Sequence, residues 1–245
     1  MQNSINYMFF LGGYDAEMCE IRRLLESQKV PFHDKHLSWG AKASDYAEEL
    51  KNLQDEIPAL IELQIDMPIP RKAIVIDHHN ERAGKDVPTS IEQVAELLGI
   101  QLTRWQKLIA ANDRGYIPGL KEAGATPEEI EKIRRQDRKC QGVTEEEEKQ
   151  AEEICRNFSS SGPLDVLDIP FTHVSPITDR LFGQYQNLLI VTPDDINFFG
   201  DGKIVQALAK AYPGSWSGGN LPEQGFWGRV KKEDIDEIVL LIKEI

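Results

Sequence analysis

The sequence predicts an α/β protein: a parallel-sheet domain followed by a smaller C-terminal α/β domain. Three observations carry that prediction. Short apolar runs alternate with helical patterns through the first half of the chain. The run Ile74-Val75-Ile76 is apolar without alternation, which suits a strand buried on both faces of a parallel sheet. Ser159-Ser160-Ser161-Gly162-Pro163 has the composition of a linker. The expected domains are residues 1–158, with a helical connector at their end, and residues 163–245.

The elements follow in order. Residues 7–11 are apolar and run into Gly12-Gly13, a strand entering a loop. Met18, Ile21, Leu24 and Leu25 have helical spacing, and Val30-Pro31-Phe32 begins a second strand. Tyr46, Leu50 and Leu53 stripe a helix over 45–53. Runs at 59–64 and 73–76, separated by Pro68-Ile69-Pro70, predict two more strands. Thr89-Ser90-Ile91-Glu92 caps a helix carrying Val94, Leu97 and Leu98.

Thr126-Pro127-Glu128-Glu129 and Thr144 before Glu145-Glu146-Glu147-Glu148 start two charged helices, read as solvated. Beyond the linker come apolar runs at 166–169 and 188–191 and a helix near 203–212. A Gly-rich loop and a final helix from 232 complete the chain. There is no internal repeat.

The chain has 245 residues, of which 40% are hydrophobic and 28% charged, a globular balance. Lys and Arg number 28 against 41 Asp and Glu, a net charge of −13. That balance disfavours tight binding of long nucleic acid or of an anionic membrane, both of which need basic surfaces. No window approaches the ~18 apolar residues of a spanning helix, and the first residues lack a signal-peptide pattern. Cys19, Cys140 and Cys155 have no metal-ligand spacing and read as free thiols of a reducing cytoplasm. The expectation is a soluble cytoplasmic protein.

Chemistry concentrates at Ile74-Val75-Ile76-Asp77-His78-His79-Asn80. A strand ending in Asp-His-His sets three metal-competent groups at the carboxyl edge of a sheet, where ligands bind in open α/β folds. Successive side chains there alternate in direction, so one imidazole can ligate while the other faces substrate. The tripeptide alone also fits two histidines that simply cap a loop. Its company favours chemistry: Asp15-Ala16-Glu17 just past the first strand, Glu62 in the preceding strand, and Asp113 after a helical stretch.

These residues, in this order, resemble the motifs of the DHH phosphoesterase superfamily, which includes RecJ-like nucleases and nanoRNases. The resemblance implies a parallel-sheet domain with a two-metal site, usually Mn²⁺ with Mg²⁺ as the alternative. It also implies a smaller domain closing over the substrate, with the active site in the cleft between them. Carried over, Asp15, Glu17, Glu62, His78 and Asp113 are metal ligands. Asp77 and His79 are catalytic, Asp77 orienting His78 and His79 facing the phosphate. Asp66 is a weaker rival to Glu62. Two cations ~3.5–4 Å apart would stabilise the attacking and leaving oxygens of a phosphoryl displacement.

The sequence departs from the family's pattern in two ways. Leu11 stands where the first motif has a ligating histidine, and Glu replaces Asp in the first two motifs. One metal site is therefore weak, differently ligated or absent.

In the C-terminal half, Phe198-Phe199-Gly200-Asp201-Gly202-Lys203 leads into a helix and Ser217-Gly218-Gly219-Asn220 follows it. Such glycines let backbone N–H groups approach a phosphate, or simply make tight turns. The resemblance assigns Ser217, Gly218, Gly219 and Asn220 to substrate binding, with Asn where the family has His. Trp216, Phe226 and Trp227 read as core-edge aromatics more readily than as base-stacking groups. Residues 39–44 read as a surface loop, with Lys42 near a phosphate as the alternative. His33, His36 and His173 read as structural or surface groups. Arg134, Arg135, Arg138 and Lys139 read as a solvated helix face.

The implied function is metal-dependent hydrolysis of a small phosphoester or nucleotide, of dinucleotide, cyclic-nucleotide or nanoRNA type. The alternative is a catalytically weakened nucleotide-binding sensor or scaffold. A homo-oligomer is compatible with either.

Overall fold

The strand predicted at the start of the chain, β1 (Tyr7–Leu11), lies between β2 (Phe32–Asp34) and β3 (Ile57–Ile61). β4 (Ile74–Ile76) pairs with β3, giving the order β2-β1-β3-β4 with every pairing parallel. This computed structural model describes residues 6–79, 82, 84, 87–230 and 235–245. The chain divides into two units, Met1–Gly142 and Val143–Ile245.

Parallel neighbours need crossovers. In the first unit α1 (Ala16–Gln28) connects β1 to β2, and a 3₁₀ turn (Ala43–Tyr46) with α2 (Ala47–Lys51) connects β2 to β3. The strands are apolar on both faces because both faces are covered. Phe9, Leu11, Ala59 and Ile61 pack with Met18, Ile21 and Leu25 of α1 and with Ile91 and Val94 of α3 (Ser90–Leu98). Phe10 and Leu60, one residue out of phase, pack with Tyr46 and Leu50 on the other side. All four strands point the same way, so the segments leaving them share one sheet edge. Gly12, Glu62 and Asp77 each begin such a segment.

The helix-start signals read from sequence are met. Thr89 with Glu92, Thr126 with Glu129, and Thr144 with Glu147 form capping boxes; Asp15, which the sequence did not mark as a cap, accepts from Met18 N through Oδ1 at 2.9 Å. α4 (Arg104–Glu122) is broken at Gly115 and Tyr116, and Tyr116 takes φ +56°. Few non-glycine residues hold such a backbone unless their surroundings fix it. Here the Arg134 guanidinium lies 4.5 Å over the Tyr116 ring.

The basic cluster is a correction. In α5 (Pro127–Cys140) both Arg134 and Arg138 are buried, the latter only 1% exposed, rather than lying on a solvated face. Their partners explain it. Arg134 donates to Asn112 Oδ1 at 2.9 Å and to Asp137 Oδ2 at 2.8 Å, and Asp137 Oδ1 accepts from Ala16 N at 3.0 Å. One ion pair thus ties the start of α1 and the middle of α4 to α5. Arg138 lies 3.6 Å from Glu131.

α6 (Glu145–Arg156) falls in the second unit, where Ala151 packs with Ile169, Phe171 and Ile177. The sheet of this unit combines β5 (Asp165–Asp168), β6 (Leu188–Val191), β7 (Asp195–Asp201), β8 (Trp216–Asn220) and β9 (Gln224–Val230). The order is β5-β6-β7-β9-β8, parallel only between β5 and β6. α7 (Ser175–Arg180) precedes β6, α8 (Gly202–Ala211) follows β7, and α9 (Ile235–Glu244) ends the chain. The first residues of the final helix expected from 232 lie outside the described residues. The predicted linker at 159–163 is tied down: Ser160 Oγ and Ser161 N donate to Asp165 at 2.7 and 2.9 Å.

The Gly-rich loop expected near 216–220 is instead the edge strand β8. Glycine weakens a strand unless its neighbours gain from the missing side chain. Here a Cβ on Gly218 would come within 2.8 Å of the Phe226 ring, and one on Gly228 would overlap the Trp216 indole. The glycines make room for cross-strand aromatics, and Trp227 fills the core beneath them.

Among the described residues no helix is long and apolar enough to cross a membrane, and the three cysteines are free thiols. The Arg134–Asp137 pair yields a stability test. Breaking a buried pair strands a charge, at about 3–5 kcal/mol. Asp137→Ala is therefore expected to lower the urea-unfolding free energy by roughly that amount; a loss under about 1 kcal/mol would remove the pair from its structural role.

Candidate metal centre

Four segments deliver the site. β1 leads through Gly12 and Gly13 to Asp15 and Glu17 at the start of α1. Glu62 leaves β3, Asp77-His78-His79 leaves β4, and Asp113 sits on α4 just before its break. Glu62 has φ +51°, and its N–H donates to Ile76 O at 2.9 Å. Gly12 is needed beside it, because a Cβ there would overlap the Glu62 carbonyl oxygen.

The side chains converge on two imidazole nitrogens. His78 Nε2 lies 2.6 Å from Asp113 Oδ2, 3.5 Å from Glu17 Oε2 and 3.9 Å from Glu62 Oε1. His79 Nε2 lies 3.5 Å from Glu62 Oε1 and 4.0 Å from Asp113 Oδ2. The two rings are 4.1 Å apart. All five of these atoms are buried, and none has a hydrogen-bond partner among the described residues. Their second atoms are used where one is recorded: Glu17 Oε1 accepts from Ile91 N at 3.1 Å, which fixes the carboxylate against α3.

These five buried atoms lie within ion-pair distance of one another yet make no well-formed hydrogen bond, an arrangement that a shared cation would complete. The atoms form two ligand groups, Glu17–His78–Asp113 and Glu62–His78–His79. Carboxylate and imidazole together suit a divalent first-row cation such as Mn²⁺, and these residues fit one.

The remaining expected residues fall around this centre in different ways. Asp15 is buried beside it but lies in neither ligand group, and one of its oxygens caps α1. Asp77 does not orient His78 by any recorded contact: its Oδ1 accepts from His79 N at 2.9 Å, and Arg82 Nε is 3.8 Å from its Oδ2. Asp66 is exposed and takes hydrogen bonds from Ser44 N and Oγ, which removes it as a rival to Glu62. Leu11 is core, its carbonyl accepting from Tyr46 Oη at 2.6 Å.

Ser217, Gly218, Gly219 and Asn220 lie on β8 of the second unit. There Asp201 caps Lys203 N at 2.8 Å, and the Pro222 carbonyl lies where a Gly202 Cβ would project, so the α8 start is already filled. His33 stacks on Phe10, His36 is exposed, and His173 pairs with Glu147 at 2.7 Å, as structural or surface histidines.

Two participants were not legible beforehand. The Arg134–Asp137–Asn112 network sets Asp113 and the start of α1, and Trp39 stands beside His79 with ring centroids 5.9 Å apart. The spacing of Arg134 and Asp137, one helical turn apart, was the available signal for the first.

No family model matches the sequence, and no curated protein matches it. Solved structures do. RecJ from Thermus thermophilus in complex with Mn²⁺ is 14% identical, with a TM-score of 0.53 over 98% of this chain and 52% of that one. The same protein with Mg²⁺ is 13% identical, TM-score 0.52, over 98% and 49%. The DHH domain of a member of the S1p family of ribosomal proteins is 14% identical, TM-score 0.53, over 98% and 86%.

The chain shares its fold with these structures, a DHH domain among them. This chain is a divergent instance of the DHH fold and spans about half the length of the RecJ chains it resembles. Within the DHH fold, the expected two-unit α/β architecture stands, with one parallel and one mixed sheet.

The electrostatics make cation binding a proton exchange. Burial, reinforced by Asp113, pushes Glu17 up to about 8, and burial also raises Asp15 well above the carboxylate range, with Glu62 and Asp113 adding to it. Burial opposes the His78 imidazolium, yet Asp113 and Glu17 hold its proton up to about 10. Burial opposes the Glu62 carboxylate too, but His79 outweighs it and holds Glu62 below its usual range.

A ligating cation must displace the protons on Glu17 and His78. Below pH 8 both groups hold them; between pH 8 and 10 only His78 does. Mn²⁺ titration calorimetry in buffers of different ionisation enthalpy is expected to release about two protons per ion at pH 7 and about one at pH 9. Affinity rises with pH throughout; binding without proton release would contradict these assignments.

Proposed function

We propose that this protein is a metal-dependent phosphoesterase acting on a small phosphoester or nucleotide, of dinucleotide, cyclic-nucleotide or nanoRNA size. The observation that carries the proposal is the convergence of five buried, unpartnered donor atoms from Glu17, Glu62, His78, His79 and Asp113. The DHH fold supports it, as do the Mn²⁺ and Mg²⁺ complexes of RecJ.

In this reading Glu17, Glu62, His78 and Asp113 hold one or two ions, Mn²⁺ or Mg²⁺, with Asp15 behind them. The ion, when bound, polarises phosphoryl oxygens and lowers the pKa of water. The chain's own residues do the rest. His79 is the more open histidine, and the Glu62 carboxylate beside it raises its pKa, which favours the cationic form that would face a phosphate. Asp77 fixes the main chain at His79 by accepting its N–H. Ile91 N and the Arg134–Asp137 pair hold Glu17 and the α1 start in place.

On the second unit Ser217, Gly218, Gly219 and Asn220 would bind the rest of the substrate. Residues 1–158 would serve as the metal-binding domain with its connector, and 163–245 as the substrate-binding domain. The net charge of −13 supports a small substrate over a long nucleic acid. A cytoplasmic setting and a homo-oligomer are compatible with this reading.

Leu11 favours a second reading. Where the resemblance expects a ligating histidine, the chain has a core leucine, and Asp15 is committed to a helix cap. A site with fewer donors suits a nucleotide sensor.

The assay is Mn²⁺-dependent hydrolysis of dinucleotides, cyclic dinucleotides and pyrophosphate. His78→Ala and Asp113→Ala are each expected to lose Mn²⁺ and at least ~10²-fold of activity, with circular dichroism unchanged. Full activity in either variant would sink the assignment. Nucleotide binding with Mn²⁺ but no turnover in the unmodified protein would establish the sensor.

A further inference from the structure

Trp39 is the most exposed of the four tryptophans, at 69%; Trp216 is 41% exposed, Trp105 is half-buried and Trp227 is fully buried. An indole left in water forgoes one of the largest burial gains available to a side chain. Its place is specific. The ring lies 5.9 Å from His79, tilted by 59°, on the more open histidine of the metal centre.

The loop that carries Trp39 is held to the same chain segment that supplies Glu62. Gln64 N donates to Ala41 O and Ala43 N donates to Gln64 O, both at 2.9 Å, and Ala41 N closes a turn onto Ser38 O at 3.2 Å. Ser44 adds its two hydrogen bonds to Asp66. Ala41, Ala43 and Tyr46 are buried beneath the loop. Trp39 is therefore presented to solvent by an anchored loop, at a fixed distance from the ligand set.

We infer that Trp39 is a specificity-determining residue that stacks a nucleobase attached next to the scissile phosphate. The inference rests on the phosphoesterase reading of the His78–Asp113 centre and narrows its substrate to a phosphodiester bearing a base. The chemistry is simple. His79 faces the phosphate, and the indole beside it offers a flat apolar face one group further on. Every base has a π-face to set against it, so the contact selects for a base without reading which one. The exposed face is the binding surface, which accounts for an indole that the core does not use.

The test compares diadenylate with an abasic phosphodiester of the same backbone, both with Mn²⁺, on the full chain and on Trp39→Ala and Trp39→Phe. Stacking lost to alanine corresponds to about tenfold in KM for diadenylate. That loss is expected to exceed the loss on the abasic compound by the same factor, and phenylalanine is expected to restore most of it. Equal losses on the two substrates, or none, would overturn the inference and leave the phosphoesterase reading intact.

Where the unmodified protein hydrolyses neither compound, that result bears on the phosphoesterase reading through the wider substrate assay and leaves the stacking to a second measurement. Stacking is then read from fluorescence. Quenching by diadenylate that disappears in Trp39→Ala supports it, and quenching that persists overturns it.

Discussion

Glu17, Glu62 and Asp113 are gathered about one buried imidazole, and the first unit is organised to hold that arrangement. Three carboxylates so close repel one another, and burial removes the water that would screen them. The protein meets part of the cost with protons, on Glu17 and on His78. The donor atoms that make no well-formed hydrogen bond lie where a cation would complete the site and replace those protons. A purely structural cluster would instead satisfy its own atoms.

Holding such a cluster takes rigidity from several elements at once. The parallel sheet contributes the common edge, since four strands pointing one way release Gly12, Glu62 and Asp77 side by side. Backbone with positive φ occurs at Glu62, in the site, and at Tyr116, three residues after Asp113. Both are conformations that surrounding structure must impose, by the close approach of Gly12 in one case and by Arg134 in the other. The buried Arg134–Asp137 pair then locks α1 and α4 to α5, so that Glu17 and Asp113, far apart in sequence, keep a fixed separation.

Much of this was legible in the amino-acid order, and the reasons are local. Asp77-His78-His79 follows an apolar strand, Glu17 follows a capped helix start, and each such signal is written within a few residues. Choosing Glu62 over Asp66 was decided by a hydrogen bond from Ser44 that no spacing encodes. The Arg134 network joins residues 121 positions apart, so its burial could not be read from a helix that looks charged all round. β8 looked like a loop because its glycines have no strand preference of their own. Its pairing comes from the aromatics Trp216 and Phe226 packing over them. Trp39 reads as an ordinary loop residue until the fold sets it beside His79.

The net charge of −13 takes on a different meaning with the fold in hand. Ten of the acidic residues lie on the capped helices α5 and α6. A few converge where a cation would invert the local sign and draw in phosphate. That inversion is the central claim, and anomalous diffraction at the manganese edge from Mn²⁺-soaked crystals tests it most directly. The account predicts a peak within coordination distance of His78 Nε2 and of the Glu17 and Asp113 carboxylates. No peak there, with the five donor atoms turned instead to hydrogen bonds among themselves or with water, would contradict it.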